Sequence, residues 1–180
     1  FSMCTECRNY YPEFRVSINL SYVQILKSPL MMELKQMIEC SGISCSGIIV
    51  ELTESGYLEG TPAVRSVWND MKKLRIQIAL DDFGTGYSNL MNISNLEPDI
   101  VKLDRGFTLK ALSRSYEYQL MQYVIEMVHK LNQYVCVEGV ETKEDLEKIK
   151  ALGPDLIQGY YYSKPCSRDE FLKKFFDYSE

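Results

Sequence analysis

The feature that most restricts the fold of this chain is a repeated unit in which a short β-branched run precedes an amphipathic or capped stretch. The strand signals cover residues 14–20, 47–53, 76–81, 100–104, 134–138 and 155–160. The helical signals cover residues 30–38, 61–74, 116–132, 142–153 and 168–176. Strands that alternate with helices so regularly predict an α/β protein with a parallel sheet.

Each predicted strand ends in a polar side chain. In chain order these residues are Asn19, Glu51, Asp81 with Asp82, Lys102 with Asp104, Glu138 and Gln158. A (β/α)₈ barrel builds its active site at the carboxyl ends of its strands. A doubly wound sheet also binds ligands there, but chiefly at one switch point. Because all six strands contribute, the pattern favours the barrel.

The residues inside the strands suit a sheet with two different faces. The positions two before the polar ends share their face, and they are Ser17, Ile49, Ala79, Ile100, Cys136 and Leu156. The opposite face is apolar throughout and suited to packing under helices. Along the longest predicted helix, one apolar face holds Leu120, Val124, Met127 and Leu131, and an amphipathic helix turns such a face toward the core.

Asp81 and Asp82 can share a site only if their strand stops at or just after Asp81, because alternate strand residues face opposite sides. The glycines at 84 and 86 supply that stop, and a short helix is expected to begin near Tyr87. Adjacent carboxylates repel each other unless a proton or cation lies between them. A hard divalent ion is the natural partner, and the alternative is an ordinary surface turn.

Composition narrows the possible functions. A net charge of −5 and a pI near 5.1 argue against a nucleic-acid polymer or an anionic membrane as the main partner. Six cysteines are too few for a disulfide scaffold, so we expect a cytoplasmic protein. Cys4-x-x-Cys7 has no second pair, so we interpret these cysteines as helical neighbours. A single histidine, His129, argues against a histidine-based triad or zinc centre.

The strand ends together resemble the EAL-domain phosphodiesterases of bacteria. The matching segments are Ser-Ile-Asn-Leu-Ser at 17–21, Glu-Leu-Thr-Glu-Ser at 51–55, Asp-Asp-Phe-Gly-Thr-Gly-Tyr-Ser at 81–88, Lys-Leu-Asp at 102–104, Glu-Gly-Val-Glu-Thr at 138–142 and Gln-Gly-Tyr at 158–160. The resemblance implies a TIM-type (β/α)₈ barrel with about six βα units present. It also implies that residues 1–180 form one EAL domain, the C-terminal three quarters of the barrel.

The activity implied by the resemblance is metal-dependent hydrolysis of cyclic di-GMP to the linear dinucleotide pGpG. Two Mg²⁺ or Mn²⁺ ions are implied as cofactors. By position, Asn19, Glu51 and Asp81 resemble ligands of one metal, and Asp81 with Asp82 resembles a bridge to the second.

Other positions carry further implied roles. Glu138 resembles a second-metal ligand or general base, Lys102 a partner of the attacking water, and Gln158 an orienting group. Asp104 and Pro165 fall where the family meets the nucleotide. Two implied loop anchors remain, Glu54 for residues 83–88 and Glu141 in the Glu-Gly-Val-Glu segment.

The Glu-Ala-Leu segment that names the family, whose glutamate is a metal ligand, is not in this sequence. A full barrel has eight strands in roughly 250 residues, so we expect that segment upstream of Phe1, in two further units. The alternative is a catalytically inactive cyclic di-GMP receptor or a protein-interaction module. The resemblance also implies a homodimer, a possible upstream sensor or GGDEF domain, and a possible tether to the inner membrane.

Overall fold

The sheet contains six parallel strands whose spatial order is their order in the chain. A computed structural model describes residues 1–26, 29–53, 62–85 and 97–176. The strands are β1 (Val16–Leu20), β2 (Ile48–Thr53), β3 (Gln77–Phe83), β4 (Ile100–Leu103), β5 (Tyr134–Glu138) and β6 (Leu156–Gln158). An order without reversal has no switch point, so the structure differs from a doubly wound sheet and agrees with the barrel prediction.

In the described part of the chain, helices lie before β1, after β6 and between successive strands other than β3 and β4. They are α1 (Ser2–Tyr10), α2 (Tyr22–Leu26), α3 (Leu30–Ser41), α4 (Pro62–Lys73), α5 (Arg105–Ser113), α6 (Ser115–Lys130), α7 (Lys143–Lys150) and α8 (Arg168–Phe175). Helices α2 and α5 are additional to those the sequence predicts. Cys4 and Cys7 are buried in α1, and all six cysteines are free. No described helix is long and apolar enough to span a membrane.

The two faces of the sheet are packed very differently. The outer face lies against the helices and forms the main core, with buried side chains that include Ile48, Val50, Ile78, Leu80, Val101, Leu103, Val135 and Val137. Each such side chain stabilises the fold by roughly 1.5–3 kcal/mol. The inner face carries a separate small cluster, made of Ile49, Ala79, Ile100 and Cys136. Ser17 and Leu156, on the edge strands, are exposed.

The core side of helix α6 overlaps the face that the sequence predicts but is rotated from it. Its buried residues are Met121, Ile125 and Val128. Of the predicted row, Val124 and Met127 are partly buried against the core, whereas Leu120 and Leu131 are exposed. The buried row is displaced by one residue, or about 100° around the helix axis. Apolar residues occupy both rows, and only the position of the sheet decides between them.

Local signals fix several helix ends. Thr142 and Asp145 form a capping box at α7, and Ser167 and Glu170 form one at α8. Gly42 ends α3 in the left-handed conformation, with φ of 65°. Pro29 stands at the N-cap of α3.

Candidate functional site

A buried lysine lies at the centre of the polar strand ends. Lys102 is only 4% exposed, and its Nζ lies 2.6 Å from Glu51 Oε2, 3.0 Å from Asp81 Oδ1 and 2.6 Å from Glu138 Oε1. The three carboxylates come from β2, β3 and β5, and the lysine comes from β4. An ammonium group has three N–H donors, so each donor meets one carboxylate.

The register of the sheet brings further polar ends into the same row. Asn19 on β1 pairs in register with Glu51, and Gln158 on β6 pairs with Glu138. Both edge residues are exposed. The six predicted polar residues therefore lie on one side of the sheet, at the carboxyl ends of its strands. The ligand and catalytic roles assigned to them stay predictions.

β3 continues two residues beyond Asp81 and ends at Phe83, directly before Gly84, one of the two glycines expected to stop it. Its register shifts between Leu80 and Phe83, and Asp82 adopts a positive φ of 61°. This kink breaks the strict alternation of the strand. The Asp82 amide donates to Asp81 Oδ1 at 3.0 Å. That the two carboxylates share a site stays a prediction.

The turn after β3 requires glycine at position 84. Gly84 has a φ of 103°, and an added Cβ would lie 2.9 Å from Phe107 Cδ1. The loop then enters residues 86–96, outside the described part of the chain. Glu54, its predicted anchor, and the helix predicted near Tyr87 also lie outside the described residues.

The two predicted nucleotide contacts stand in different settings. Asp104 Oδ1 accepts a hydrogen bond from the Gly106 amide at 2.7 Å and caps α5. Pro165 is exposed in the loop between β6 and α8. Their contact with a ligand stays a prediction.

The predicted loop anchor Glu141 has a partner that the sequence analysis missed. Arg105 donates to Glu141 Oε1 from Nη2 at 2.7 Å and from Nε at 3.2 Å. Both side chains line a cavity of about 400 Å³ beside the site, together with Glu138, Gly139, Gln158, Gly159 and Tyr160. The only sequence signal for Arg105 is its position directly after the Lys-Leu-Asp segment.

Burial and charge shift the titration of the central groups. Burial lowers the pKa of Lys102, but hydrogen bonds to Glu138 and Glu51 and the charge of Asp81 more than offset this, so its pKa is raised. Burial raises the pKa of Glu138 despite the opposing effect of Lys102. Desolvation, then the charges of Asp81 and Asp104, raise the pKa of Asp82. Burial raises the pKa of Cys136 to about 12, so this thiol stays protonated.

The oxygen atoms of the polar strand ends suit a hard divalent ion, although three of the carboxylates point at Lys102. In the described part of the chain, no group of three or more His, Cys, Asp or Glu residues is arranged to hold a metal. Glu51, Asp81 and Glu138 each direct an oxygen at Lys102 instead. Carboxylate and amide oxygens are nevertheless ligands that Mg²⁺ and Mn²⁺ accept. Three carboxylates already converge on one cation, the ammonium group of Lys102. The residues therefore fit such an ion chemically.

Known proteins are similar to this chain in sequence and in fold. The family model of the EAL domain matches residues 2–165. The cyclic di-GMP phosphodiesterase PdeF of Escherichia coli is 32% identical over 160 residues, which cover 89% of this chain and 21% of PdeF. The chain thus spans about a fifth of that relative.

Two solved structures extend the likeness. The EAL enzyme Bd1971, bound to cAMP and cyclic di-GMP, superimposes with a TM-score of 0.89 and 28% identity, covering 96% of this chain and 47% of that one. The PaMucR phosphodiesterase in complex with c-di-GMP gives a TM-score of 0.84 and 26% identity, covering 94% of this chain and 70% of that one. The predicted fold, a TIM-type barrel present here as six strands, is confirmed. The chain belongs to the EAL-domain family.

Proposed function

We propose that the protein hydrolyses cyclic di-GMP to pGpG. The observation that carries this proposal is the buried Lys102, held by carboxylates from three other strands at the edge where a barrel places its active site. The relative PdeF and the enzymes solved with cyclic di-GMP support the choice of substrate. Residues 1–180 are then an EAL domain within a cytoplasmic protein.

Hydrolysis requires a deprotonated water and a neutralised phosphate. Asn19, Glu51, Asp81, Asp82 and Glu138 would hold two divalent ions, Mg²⁺ or Mn²⁺. When bound, such ions neutralise the phosphate and lower the pKa of water. The choice of these residues rests on the family resemblance and on their oxygen donors.

The chain's own residues move the proton and orient the reactants. Glu138 would accept the proton of the attacking water, the role that the family resemblance implies. Lys102 would orient that water through an N–H donor that is freed when one of its three carboxylates turns to a bound ion, and Gln158 would orient the phosphate. The water oxygen bonds to phosphorus, one ester P–O bond breaks, and the leaving ribose oxygen takes a proton from solvent. Asp104 and Pro165 would contact the nucleotide.

Turnover by the full-length protein tests this proposal. Cyclic di-GMP is incubated with the protein and Mg²⁺ or Mn²⁺, and the products are separated by chromatography. We expect pGpG, and we expect EDTA to abolish its formation. Glu138→Gln, which keeps the size of the side chain, should lower kcat at least about 100-fold. Binding of cyclic di-GMP with no product from the wild-type protein would contradict the proposal.

One observation favours the second candidate, a receptor that binds cyclic di-GMP without cleaving it. The carboxylates at the centre are already neutralised in part by Lys102, so the site holds together without a metal. A receptor should bind cyclic di-GMP with equal affinity in EDTA and in Mg²⁺, measured by calorimetry. A homodimer and an upstream regulatory domain remain proposals for either candidate, and sedimentation of the full-length protein tests the first.

A further inference from the structure

The turn that follows β5 is clamped on one side by an arginine. This turn, residues 139–141, begins directly after Glu138, and Gly139 has a φ of 79°. An added Cβ at Gly139 would overlap Arg105 Cγ and lie 2.9 Å from Arg105 Cβ. The stem of Arg105 therefore packs on the glycine, while its guanidinium donates twice to Glu141 at the end of the turn.

The opposite side of the 139–141 turn is fixed by the chain after β6. An added Cβ at Gly159 would overlap the carbonyl oxygen of Val140 and lie 2.5 Å from its nitrogen. The Val140 amide donates to the Gln158 carbonyl at 3.3 Å, and the Tyr161 amide donates to the Val140 carbonyl at 3.0 Å. Val140 is fully buried. The backbone of the 139–141 turn is therefore hydrogen-bonded to the chain at and directly after the end of β6.

We propose that Arg105 is a positioning residue, which holds the 139–141 turn through Glu141 and thereby aims the Glu138 carboxylate. Glu138 adjoins Gly139, so a movement of the turn moves the carboxylate that lies 2.6 Å from Lys102 Nζ. Arg105 begins α5, two residues beyond the end of β4, the strand that carries Lys102. It thus ties the two strands that carry Lys102 and Glu138. The kinetic consequence rests on the proposed function.

Stability alone does not account for this arrangement. The Arg105 and Glu141 side chains are 58% and 39% exposed, and exposed ion pairs contribute little to stability. A small misplacement of a reacting group, by contrast, can cost up to about 100-fold in rate. Loss of Arg105 should therefore affect turnover far more than folding.

The test compares Arg105→Ala with wild type in the full-length protein by two measurements. We expect kcat for cyclic di-GMP to fall at least about 10-fold, with KM changed less than about threefold. We also expect faster hydrogen exchange at the amides of Val140 and Tyr161. The Leu146 amide, bonded within the α7 turn to Thr142 O, is the internal reference and should not change.

Related variants separate positioning from a general loss of charge. Arg105→Lys should recover part of kcat, because a lysine can still donate to Glu141. Glu141→Ala should resemble Arg105→Ala, and the double variant should be no worse than either. Arg114→Ala is the matched control, since Arg114 pairs with Glu117 at 3.2 Å on α6. It should leave kcat and both amides unchanged.

Each outcome bears on one proposal. Unchanged exchange at Val140 and Tyr161 in Arg105→Ala would overturn the positioning role, whatever the activity. A loss of kcat equal in Arg105→Ala and Arg114→Ala would also overturn it. An inactive wild-type protein would refute the phosphodiesterase proposal alone, because the exchange measurement still tests whether Arg105 holds the 139–141 turn.

Discussion

The central strands and the edge strands both end in polar residues, but these residues are held in different ways. In the centre, Glu51, Asp81, Lys102 and Glu138 are joined by ion pairs and largely withdrawn from water. On the two edge strands, β1 and β6, the residues Asn19 and Gln158 are exposed. Each is placed by its register with a single neighbouring strand. The centre is thus organised by its own charges, whereas the edges are organised by the backbone. Variants should reveal this difference as separate effects on stability and on function.

The largest effect should follow the loss of the central cation. Lys102→Met removes the partner of three carboxylates and leaves them buried and mutually repelling. We expect the free energy of unfolding in urea to fall by about 3–5 kcal/mol. Lys148→Met, which removes an exposed pair with Glu144, should leave the free energy of unfolding almost unchanged. Similar losses in the two variants would contradict the central role of Lys102.

The next largest effect on stability is expected where Gly159, directly after β6, packs against the 139–141 turn that follows β5. Gly159→Ala would force a methyl group into the Val140 backbone, so we expect about 1–3 kcal/mol of destabilisation. Gly153 is the comparison, because an added Cβ there meets nothing within 4 Å. Since Gly153 has a φ of 74°, Gly153→Ala should cost about 1–2 kcal/mol from backbone strain alone. Differential scanning calorimetry would report both, and only Gly159→Ala should also lower activity.

The two capping boxes should differ because their helices pack differently. Helix α7 buries Leu146 and Ile149, whereas no residue of α8 is buried. Thr142→Ala should therefore lower the global free energy of unfolding by about 1 kcal/mol. Ser167→Ala should mainly increase hydrogen exchange within α8, because that helix can unfold locally. Equal global losses would show that α8 belongs to the cooperative core.

The cap of α8 should also respond to pH. Hydrogen bonds from the Ser167 amide and hydroxyl lower the pKa of Glu170 below its usual value of 4.5. A carboxyl whose pKa is lowered by folding stabilises the structure above that usual value and loses this effect as the pH falls. Exchange within α8 should thus rise below about pH 4.5. Glu170→Gln should remove this dependence, whereas Ser167→Ala, which keeps the amide donor, should only reduce it.

The smallest effect on stability should occur at the edges. Asn19→Ala and Gln158→Ala remove exposed side chains, so the free energy of unfolding should change by less than about 0.5 kcal/mol. If these residues contact metal or substrate as proposed, turnover of cyclic di-GMP should nevertheless fall. Losses of stability like that of Lys102→Met would remove the distinction between centre and edge.

Local patterns predicted the framework of the molecule. The alternation within strands identified the inner row of Ile49, Ala79, Ile100 and Cys136, which forms one buried cluster. The caps at Thr142 and Ser167 were also visible, because a capping box involves only four consecutive residues. Short-range signals of this kind survive folding, since each involves residues close together in the chain.

The packing face of α6 and the backbone at Asp82 could not be predicted in the same way. In α6, two neighbouring rows are apolar, and the core selects Met121, Ile125 and Val128. At Asp82, the register shift against β4 produces the positive φ. Both outcomes depend on a neighbouring element rather than on the local sequence.

The order of residues alone predicts six strands that alternate with helices and end in acidic, amide and lysine side chains. Which charges meet depends on the folded chain: Lys102 joins Glu51, 51 residues away, and Arg105 joins Glu141, 36 residues away. These contacts cannot be predicted locally, because register and curvature of the sheet set distances across strands. A side chain's type fixes what it can bind, but its neighbours in space fix what it does bind.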